Sequence, residues 1–387
     1  MKRIIPGIAA YALMILAVLP GCKKDEDPVT FTVNAGVIDD EEYTAGGTLL
    51  LMFSTDDGSS WVSDPGRVEE GTVVMVKVTS GDVDLTSDNF EFDWSASEPV
   101  PANPTDDVAV FQVEGTLTVS VKVTDILDLV VVKRSDGTVH SVNTSTGQLT
   151  LKGMIVYDSE PLAGLRGLVY DPATGMCYSG ATAQGNGCFY SVNMKTGEAT
   201  LLNNNIEFEW DGIADLILAP DGNIMGVIYS GIESCMALIT FNKATGAAGT
   251  HFPIMYDSDR ETHWSSGGLT YGSSDDNVIV GAWGEVLKAG TNGQISHFIS
   301  LQSTTNIDAT SAALMDLETA RDGTIYAMVW DESKYDQGLV TLDVATGAMT
   351  ETGLLMNGET RNDLSTHGYH CLAFVPRHIL PEFIPVK

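Results

Sequence analysis

The chain has 387 residues, with 52 Asp or Glu against 20 Lys or Arg, and its formal net charge is −32. A field of this sign repels phosphate backbones and anionic lipid headgroups, which excludes nucleic acid as a partner and a basic patch as a membrane anchor. The length exceeds what one hydrophobic core usually serves and predicts two domains.

Residues 1–22 have the pattern of an export signal. Lys2 and Arg3 precede an apolar run, and the segment ends in Leu19-Pro20-Gly21-Cys22. The run is short for a membrane-spanning helix and an acidic stretch follows it, which favours a cleaved signal peptide. The Leu-x-Gly-Cys ending resembles the lipobox of bacterial lipoproteins and implies that Cys22 is lipidated and begins the mature protein. An uncleaved anchor or an ordinary signal peptide is the alternative.

Residues 23–28 form a tether of sequence Lys23-Lys24-Asp25-Glu26-Asp27-Pro28. Lysine followed by consecutive acids behind a lipidated cysteine resembles the surface-export signal of Bacteroidetes lipoproteins. The resemblance implies a protein held by lipid in the outer membrane and facing the cell exterior. A charge run beside an anchor can also be a simple solvated spacer.

Residues 29–125 have the pattern of short β-strands separated by turn clusters, which predicts a β-sandwich. The strand Phe90–Trp94, followed by the segment Phe111–Asp125, resembles PKD-type immunoglobulin-like domains. In that family a strand that contains Trp is followed by an edge strand that begins with Gly-Thr, and the domain ends with Val-Thr-Asp. Ser95-Ala96-Ser97 replaces the usual Gly-Asp-Gly. The resemblance implies a spacer domain, with Trp94 in its core.

Residues 126–387 contain an internal repeat with a spacing of 47 to 54 residues. Each copy ends in a turn, of which four begin with Asn or Asp and end with Thr-Gly. The Asn or Asp side chain caps such a hairpin turn, and the glycine occupies its positive-φ position. The five turns are Asn143–Gly147, Asn193–Gly197, Asn242–Gly246, the degenerate Gly290–Gly293, and Asp343–Gly347.

A second signal, a leucine in a short apolar strand, precedes each of the later turns but not the first. Its fifth copy lies at the C-terminus, so the five leucines are Leu168, Leu216, Leu269, Leu317 and Leu372. The displaced copy predicts a five-bladed β-propeller over residues 126–387, closed by pairing of the C-terminal strand with the strand at Val130. A linear β-solenoid would not explain the displacement, and six blades would require a cryptic unit in a loop.

Four cysteines remain after Cys22: Cys177, Cys188, Cys235 and Cys371. None of them forms a Cys-x-x-Cys pair, which excludes zinc ribbons and thioredoxin-type redox sites. An exported protein can form disulfides, with three possible connectivities, but buried free thiols are the favoured interpretation.

Two kinds of connection lie on one face of a propeller. One joins the last strand of a blade to the first strand of the next blade, and the other joins the second and third strands within a blade. Those connections are long and irregular here, and binding sites tend to lie in such loops. Aromatic rings can stack on a sugar while polar groups bind its hydroxyls, so the pattern predicts a ligand site. The alternative is that tryptophans at strand ends pack between blades. The candidate ligand-binding residues are Glu209, Trp210, Tyr256, Arg260, His263, Trp264, Trp283, Trp330 and Tyr369.

Alternating carboxylates at Asp257, Asp259 and Glu261 could hold Ca²⁺. This segment lacks the glycine and the twelfth-position glutamate of an EF-hand loop. A solvated acidic loop is therefore the favoured interpretation, and we predict no metal site.

No nucleophile elbow, zinc-protease, phosphate-loop or dinucleotide motif occurs, so we expect no catalytic residues. Five-bladed propellers do include glycoside hydrolases. Asp215 and Asp316, each directly before a repeated leucine, could supply an acid and a base. Fold analogy alone does not assign function, and hydrogen bonding to neighbouring strand ends is the favoured role of both.

Surface lipoproteins of this build resemble the accessory proteins that capture glycans or cofactors for TonB-dependent transporters. The resemblance implies capture of an extracellular nutrient, with such a transporter as partner. An adhesion or protein-interaction scaffold is the first alternative, and a glycoside hydrolase is the second.

Overall fold

The structure is a computed structural model that describes residues 28–81, 85–97, 101–183, 186–206, 212–230, 235–257, 260–261, 267–272, 277–333, 336–354, 356–357, 360–361 and 368–380. Within these ranges the regular structure is β-strand, with two short 3-10 helices, Ala309–Ser311 and Arg377–Ile379, and no α-helix. The all-β prediction is confirmed. Cys22 and the tether up to Asp27 lie outside the described residues. None of the described segments is a helix long and apolar enough to span a bilayer.

The chain divides into two compact units. Unit 1 contains residues up to 38, 50–79 and 93–121. Unit 2 contains residues 39–49, 80–92 and 122 onward. Two segments that the sequence assigns to the N-terminal domain, 39–49 and 80–92, therefore belong to unit 2.

Seven strands from the N-terminal third form two sheets, with strand orders β3-β1-β7-β5 and β2-β4-β6. Along β4, β5 and β7 alternate residues are buried, as in sheets with one covered face. Trp94 is 3% exposed and its indole N–H donates to Asp106 O at 2.7 Å, so it is a core residue as predicted. The strands are β1 Thr30–Asp39, β2 Leu50–Ser54, β3 Arg67–Glu69, β4 Val73–Thr79, β5 Phe90–Ala96, β6 Val108–Gln112 and β7 Leu117–Asp125.

The repeat region forms five antiparallel sheets, each with four strands that follow the repeat. Sheet I contains β8 Leu127–Lys133, β9 Thr138–Val142, β10 Leu149–Met154 and the C-terminal strand β33 Tyr369–Pro376. Sheet II contains β13 Leu165–Asp171, β14 Met176–Ala183, β15 Asn186–Asn193 and β16 Glu198–Ile206. Sheet III contains β17 Ile213–Leu218, β18 Ile224–Ser230, β19 Cys235–Phe241 and β20 Ala248–Pro253. Sheet IV contains β23 Leu269–Tyr271, β24 Val278–Gly281, β25 Glu285–Ala289 and β26 Ile295–Ser300, and sheet V contains β27 Ala312–Thr319, β28 Ile325–Asp331, β29 Asp336–Asp343 and β30 Ala348–Leu354.

Six short strands complete the region. The pair β11 Val156–Tyr157 and β12 Glu160–Pro161 extends sheet II beyond β16. Two separate hairpins are β21 Met255–Asp257 with β22 Arg260–Glu261, and β31 Met356–Asn357 with β32 Thr360–Arg361.

The inner strands, which we define as β33, β13, β17, β23 and β27, contact one another in that order, and β27 contacts β33. Leu372 lies opposite Val131 and Ala373 opposite Val130, which confirms the predicted pairing of the C-terminal strand with the first strand of the repeat region. Each of five hydrophobic clusters is shared by two neighbouring sheets, and one of them joins sheet V to sheet I. The core therefore lies between the sheets.

The repeated turns show the predicted chemistry. In the first, Gly147 N–H donates to Asn143 O at 2.7 Å, and Asn143 Oδ1 accepts from Ser145 N at 3.0 Å. The five turn glycines have φ between 66° and 80°. At Gly197 an added Cβ would lie 2.3 Å from Met154 O in sheet I. This position therefore requires glycine because a larger side chain would not fit, and also because its φ is positive.

We expect Gly197→Ala to destabilise the protein by about 1–3 kcal/mol more than Gly175→Ala, because the added methyl group meets a backbone oxygen. Gly175 is the matched control, since its φ is +68° and no atom lies within 4 Å of an added Cβ. Urea unfolding of both variants measures the difference. Equal destabilisation would show that the close approach between sheets II and I adds nothing.

Cys177, Cys188 and Cys371 are buried, and Cys177 and Cys371 are free thiols, in line with the favoured interpretation; the side chain of Cys235 lies outside the described part of the structure. The three buried cysteines belong to the hydrophobic cluster between sheets I and II. Burial raises the pKa of the Cys371 thiol well above its ordinary value, so it stays protonated and packs as a small apolar group.

Candidate functional site

Four of the five inner strands carry a β-bulge just before the repeated leucine. A bulge leaves one residue unpaired and re-aims its side chain. The residue two positions before the leucine is half-buried while both its neighbours are buried. These residues are Arg166, Ala214, Met315 and His370. The residue at this position is the unpaired residue of the bulge in β17, β27 and β33, whereas the unpaired residue in β13 is Gly167.

The residue directly before the leucine is Asp215 in β17 and Asp316 in β27, and both side chains are fully buried. Asp215 Oδ2 accepts from Leu269 N at 2.6 Å and from Leu317 N at 3.4 Å. Asp316 Oδ2 accepts from Leu372 N at 2.9 Å. The two carboxyl groups thus join sheets III, IV, V and I through backbone N–H groups, which is the favoured role from the sequence.

The carboxyl groups of Asp215 and Asp316 lie close enough for each to shift the pKa of the other. Burial raises the pKa of both carboxyls well above the ordinary value, and the charge of Asp215 raises that of Asp316 further. Asp215 also accepts from Leu216 N at 2.7 Å, whereas Asp316 Oδ1 is buried and receives no hydrogen bond. Asp316 is therefore the carboxyl that we expect to be protonated.

Glycine occupies the same position in two of the other inner strands, where space is short. An added Cβ on Gly167 would lie 2.7 Å from Asp215 Cα, and one on Gly268 would lie 2.8 Å from Asp316 C. Each aspartate therefore sits against a glycine of a neighbouring sheet. With no exposed surface, the pair has no place for a substrate, and neither residue is an acid or base for hydrolysis.

At the carboxyl ends of the inner strands, described residues from segments 39–49 and 85–92 contact sheets I, II and V within unit 2. Thr44 donates to Asp125 Oδ2 at 2.5 Å and lies 3.0 Å from the Tyr170 hydroxyl at the end of β13. The ring of Phe90 stacks on His378, with centroids 5.3 Å apart.

Arginines from the turns at the same end fix these two segments. Arg321 Nη1 donates to Asp125 O at 2.6 Å, and its Nε lies 3.3 Å from Glu42. Arg377 donates to Asp88 O at 2.9 Å. The carboxyl ends of the inner strands are thus occupied by the chain itself.

The opposite end, which we call the amino-end face, is formed by the amino ends of the inner strands and the residues beside them. Here Trp283, which follows β24, forms an antiparallel bridge to Ala313 in β27, and Ala313 pairs with Trp330 in β28. Directly paired residues place their side chains on the same side of a sheet. The two half-buried indoles therefore flank the methyl group of Ala313 in one row.

Trp330 also packs against the hydrophobic cluster between sheets V and I. Part of its side chain therefore packs between sheets, as the alternative interpretation of the tryptophans predicted. The structure corrects the prediction that Tyr369 contacts a ligand. Its side chain is 1% exposed and lies edge-on to His140 at 5.4 Å. Gln337 fixes the backbone of Tyr369 through bonds of 2.6 and 3.1 Å, so this tyrosine is a core residue.

Four of the predicted contacts lie outside the described residues: Glu209, Trp210, His263 and Trp264. Tyr256 and Arg260 lie on the two strands of the β21–β22 hairpin, where only the backbone is described. Among the residues with described side chains, no group of His, Cys, Asp and Glu could hold a metal ion. Of the predicted ligand-binding residues, the structure thus brings Trp283 and Trp330 together.

Sequence reasoning missed a basic cluster at the amino-end face, formed by Arg134, Arg166 and His370. Burial, followed by the charges of Arg166 and Arg134, lowers the pKa of His370 to about 3. The imidazole is therefore neutral at physiological pH. The signal was present in the repeat, since Arg166 and His370 both lie two residues before a repeated leucine.

No protein-family model matches the chain, and no curated protein sequence matches it. The solved structures that match it do so with low TM-scores. A GH43 β-1,3-galactosidase with galactodeoxynojirimycin has a TM-score of 0.41 at 10% identity, over 57% of this chain and 88% of that one. A protein of unknown function from Bacteroides caccae has a TM-score of 0.37 at 12% identity, over 64% and 98%.

The extracellular domain of a hybrid two-component system from B. thetaiotaomicron has a TM-score of 0.33 at 13% identity, over 61% of this chain. The match spans only 27% of that longer chain. At these scores and identities the likeness carries no inference about activity.

Proposed function

We propose that the chain is an outer-membrane surface lipoprotein that binds an extracellular glycan or similar nutrient at the amino-end face of a five-bladed β-propeller. The observation that carries this proposal is the row Trp283–Ala313–Trp330. Two half-buried indoles with one methyl group between them offer an apolar platform, which suits the C–H face of a sugar ring.

The cyclic contacts of the inner strands and the five intersheet clusters support the propeller assignment. Described residues from segments 39–49 and 85–92 contact the carboxyl ends of three inner strands, so we place the ligand at the amino-end face. The lipobox at Cys22 and the immunoglobulin-like sandwich would then supply the anchor and the spacer. A TonB-dependent transporter is the proposed recipient of the ligand.

The alternative of glycoside hydrolysis loses its two named carboxylates. Asp215 and Asp316 are 0% exposed and bond to backbone N–H groups of neighbouring sheets. The structure therefore favours a binding protein over an enzyme that uses this pair.

We expect Trp283→Ala and Trp330→Ala each to weaken glycan binding about tenfold, because each variant removes one stacking surface. The experiment uses the chain without residues 1–22 on an array of neutral and acidic polysaccharides, followed by titration of the ligand found. Trp61→Ala is the matched control, since Trp61 lies in unit 1 with the Lys77 ammonium 4.2 Å from its ring centroid.

Unchanged affinity in both folded variants would reject the amino-end face as the site. A wild-type chain that binds no glycan but captures a protein partner would instead favour the adhesion alternative.

A further inference from the structure

Three residues from three separate strands or turns converge at the start of β33. Arg134, just after β8, donates its backbone N–H to Gly368 O at 3.0 Å and accepts from Gly164 N at 2.7 Å. Two residues beyond Gly368 is His370, and two beyond Gly164 is Arg166. The backbone bonds of Arg134 therefore bring the starts of β33 and β13, which carry His370 and Arg166, close to Arg134.

The inner strands β13 and β33 are neighbours in the ring, which places Arg166 beside His370. All three side chains are half-buried, so a solute can reach them. At the equivalent position the other inner strands carry Ala214, Gly267 and Met315.

Charge makes this cluster unusual. The chain has only 20 Lys and Arg residues against 52 acids, and yet two arginines lie beside one histidine. Arginine guanidinium groups bind planar or tetrahedral oxyanions through paired N–H donors, and a neutral imidazole adds one more N–H donor. Nearby Lys133 is already used, since its ammonium lies 3.4 Å from Asp136.

We propose that Arg134, Arg166 and His370 bind an anionic group of the ligand, a carboxylate or a sulfate ester, so that the captured glycan is an acidic polysaccharide. This inference rests on the proposed function and names its ligand class. The indole row and the basic cluster lie on the same amino-end face, so one saccharide chain can contact both. Trp330 and Tyr369 both contribute to the hydrophobic cluster between sheets V and I. Tyr369 directly precedes His370.

Native affinity electrophoresis of the chain without residues 1–22 tests the proposal with three probes. Dextran is neutral, dextran sulfate supplies sulfate esters, and polygalacturonate supplies carboxylates. We expect retardation by one or both polyanions even though the net charge of the protein repels them. Arg166→Gln and Arg134→Gln should each raise the apparent Kd about tenfold, because each removes a charge-assisted contact.

Arg67→Gln in unit 1 is the control, since it removes the same charge from a residue that bonds to Thr30 Oγ1 at 2.8 Å. Retardation by sulfate alone or by carboxylate alone identifies the anion and supports the proposal. A normal Kd in Arg166→Gln and Arg134→Gln, or an equal loss in Arg67→Gln, overturns it. So does a lowered unfolding temperature in Arg166→Gln with unchanged retardation, which would assign this arginine to the fold.

The two proposals fail differently. Binding of a neutral glycan that is lost in Trp283→Ala, with no binding of either polyanion, would leave the proposed function standing and reject the anion site. Absence of binding to every glycan on the array would reject the proposed function itself.

Discussion

Asp215→Asn is expected to lower the free energy of unfolding by about 2–4 kcal/mol, whereas Asp316→Asn should be tolerated. Asp215 accepts backbone N–H groups on both oxygens, and an amide NH₂ there would face a donor and leave it unsatisfied. Asp316 Oδ1 accepts no hydrogen bond, so an NH₂ group in its place displaces no donor. An asparagine at 316 can donate through its NH₂ and accept from Leu372 N through its oxygen.

The same pair gives a dependence on pH whose sign follows from the raised pKa of the Asp316 carboxyl. The folded state holds a proton that an unfolded carboxyl releases near pH 4, so stability is lost as the pH rises toward the folded pKa. Glu318 contributes in the same direction, because burial and the charge of Asp215 raise its pKa to about 8. The lowered pKa values of His140, His370 and His378 act in the opposite direction below about pH 7, and comparison of the variant with the wild-type chain cancels that contribution.

Urea unfolding at pH 6, 7 and 8 checks both statements. Asp316→Asn should gain stability relative to the wild-type chain as the pH rises, since it removes one titrating group. If Asp215→Asn and Asp316→Asn are equally stable, the assignment of the proton to Asp316 is wrong.

Removal of the C-terminal strand is expected to abolish cooperative folding of unit 2. A chain that ends at Gly368 loses β33, whose side chains at Cys371, Leu372, Ala373 and Val375 are at most 1% exposed. Burial of an apolar side chain contributes about 1.5–3 kcal/mol, so the loss is comparable to the whole stability of a domain, about 5–15 kcal/mol. The truncated chain also exposes the free edge of β8 and should aggregate.

Near-ultraviolet circular dichroism and thermal unfolding measure the effect. A chain that ends at Leu380 is the control, because it retains every described contact of β33. Cooperative unfolding of the shorter chain at the wild-type temperature would mean that closure of the ring by β33 is not required.

Several elements of the fold could be predicted because their signals are local. The Asn-x-x-Thr-Gly turns need a side-chain cap and a positive φ, and both requirements appear in the sequence at each copy. The leucine copy displaced to Leu372 indicated the pairing of the last strand with the first. By contrast, nothing local places residues 39–49 in unit 2, because the contact of Thr44 with Asp125 and Tyr170 joins distant parts of the chain.

Part of the proposed site could be predicted from the sequence. The amino-end face and the tryptophans Trp283 and Trp330 followed from loop length and composition. Tyr369 could not be recognised as a core residue, because its burial depends on Gln337 and His140, which are distant in sequence. The basic cluster was missed because Arg134, Arg166 and His370 are neighbours only through backbone bonds at Gly368 and Gly164.

The sequence by itself determined the export signal pattern, the all-β class, the repeat and its turns, since each depends on residues close together in the chain. Only the tertiary structure decided which polar groups face one another. Asp215 and Asp316 are buried together because the ring brings two inner strands into contact, and their side chains bond to backbone N–H groups of neighbouring sheets. The basic cluster also depends on tertiary structure, because its residues come together where the inner strands of neighbouring sheets meet.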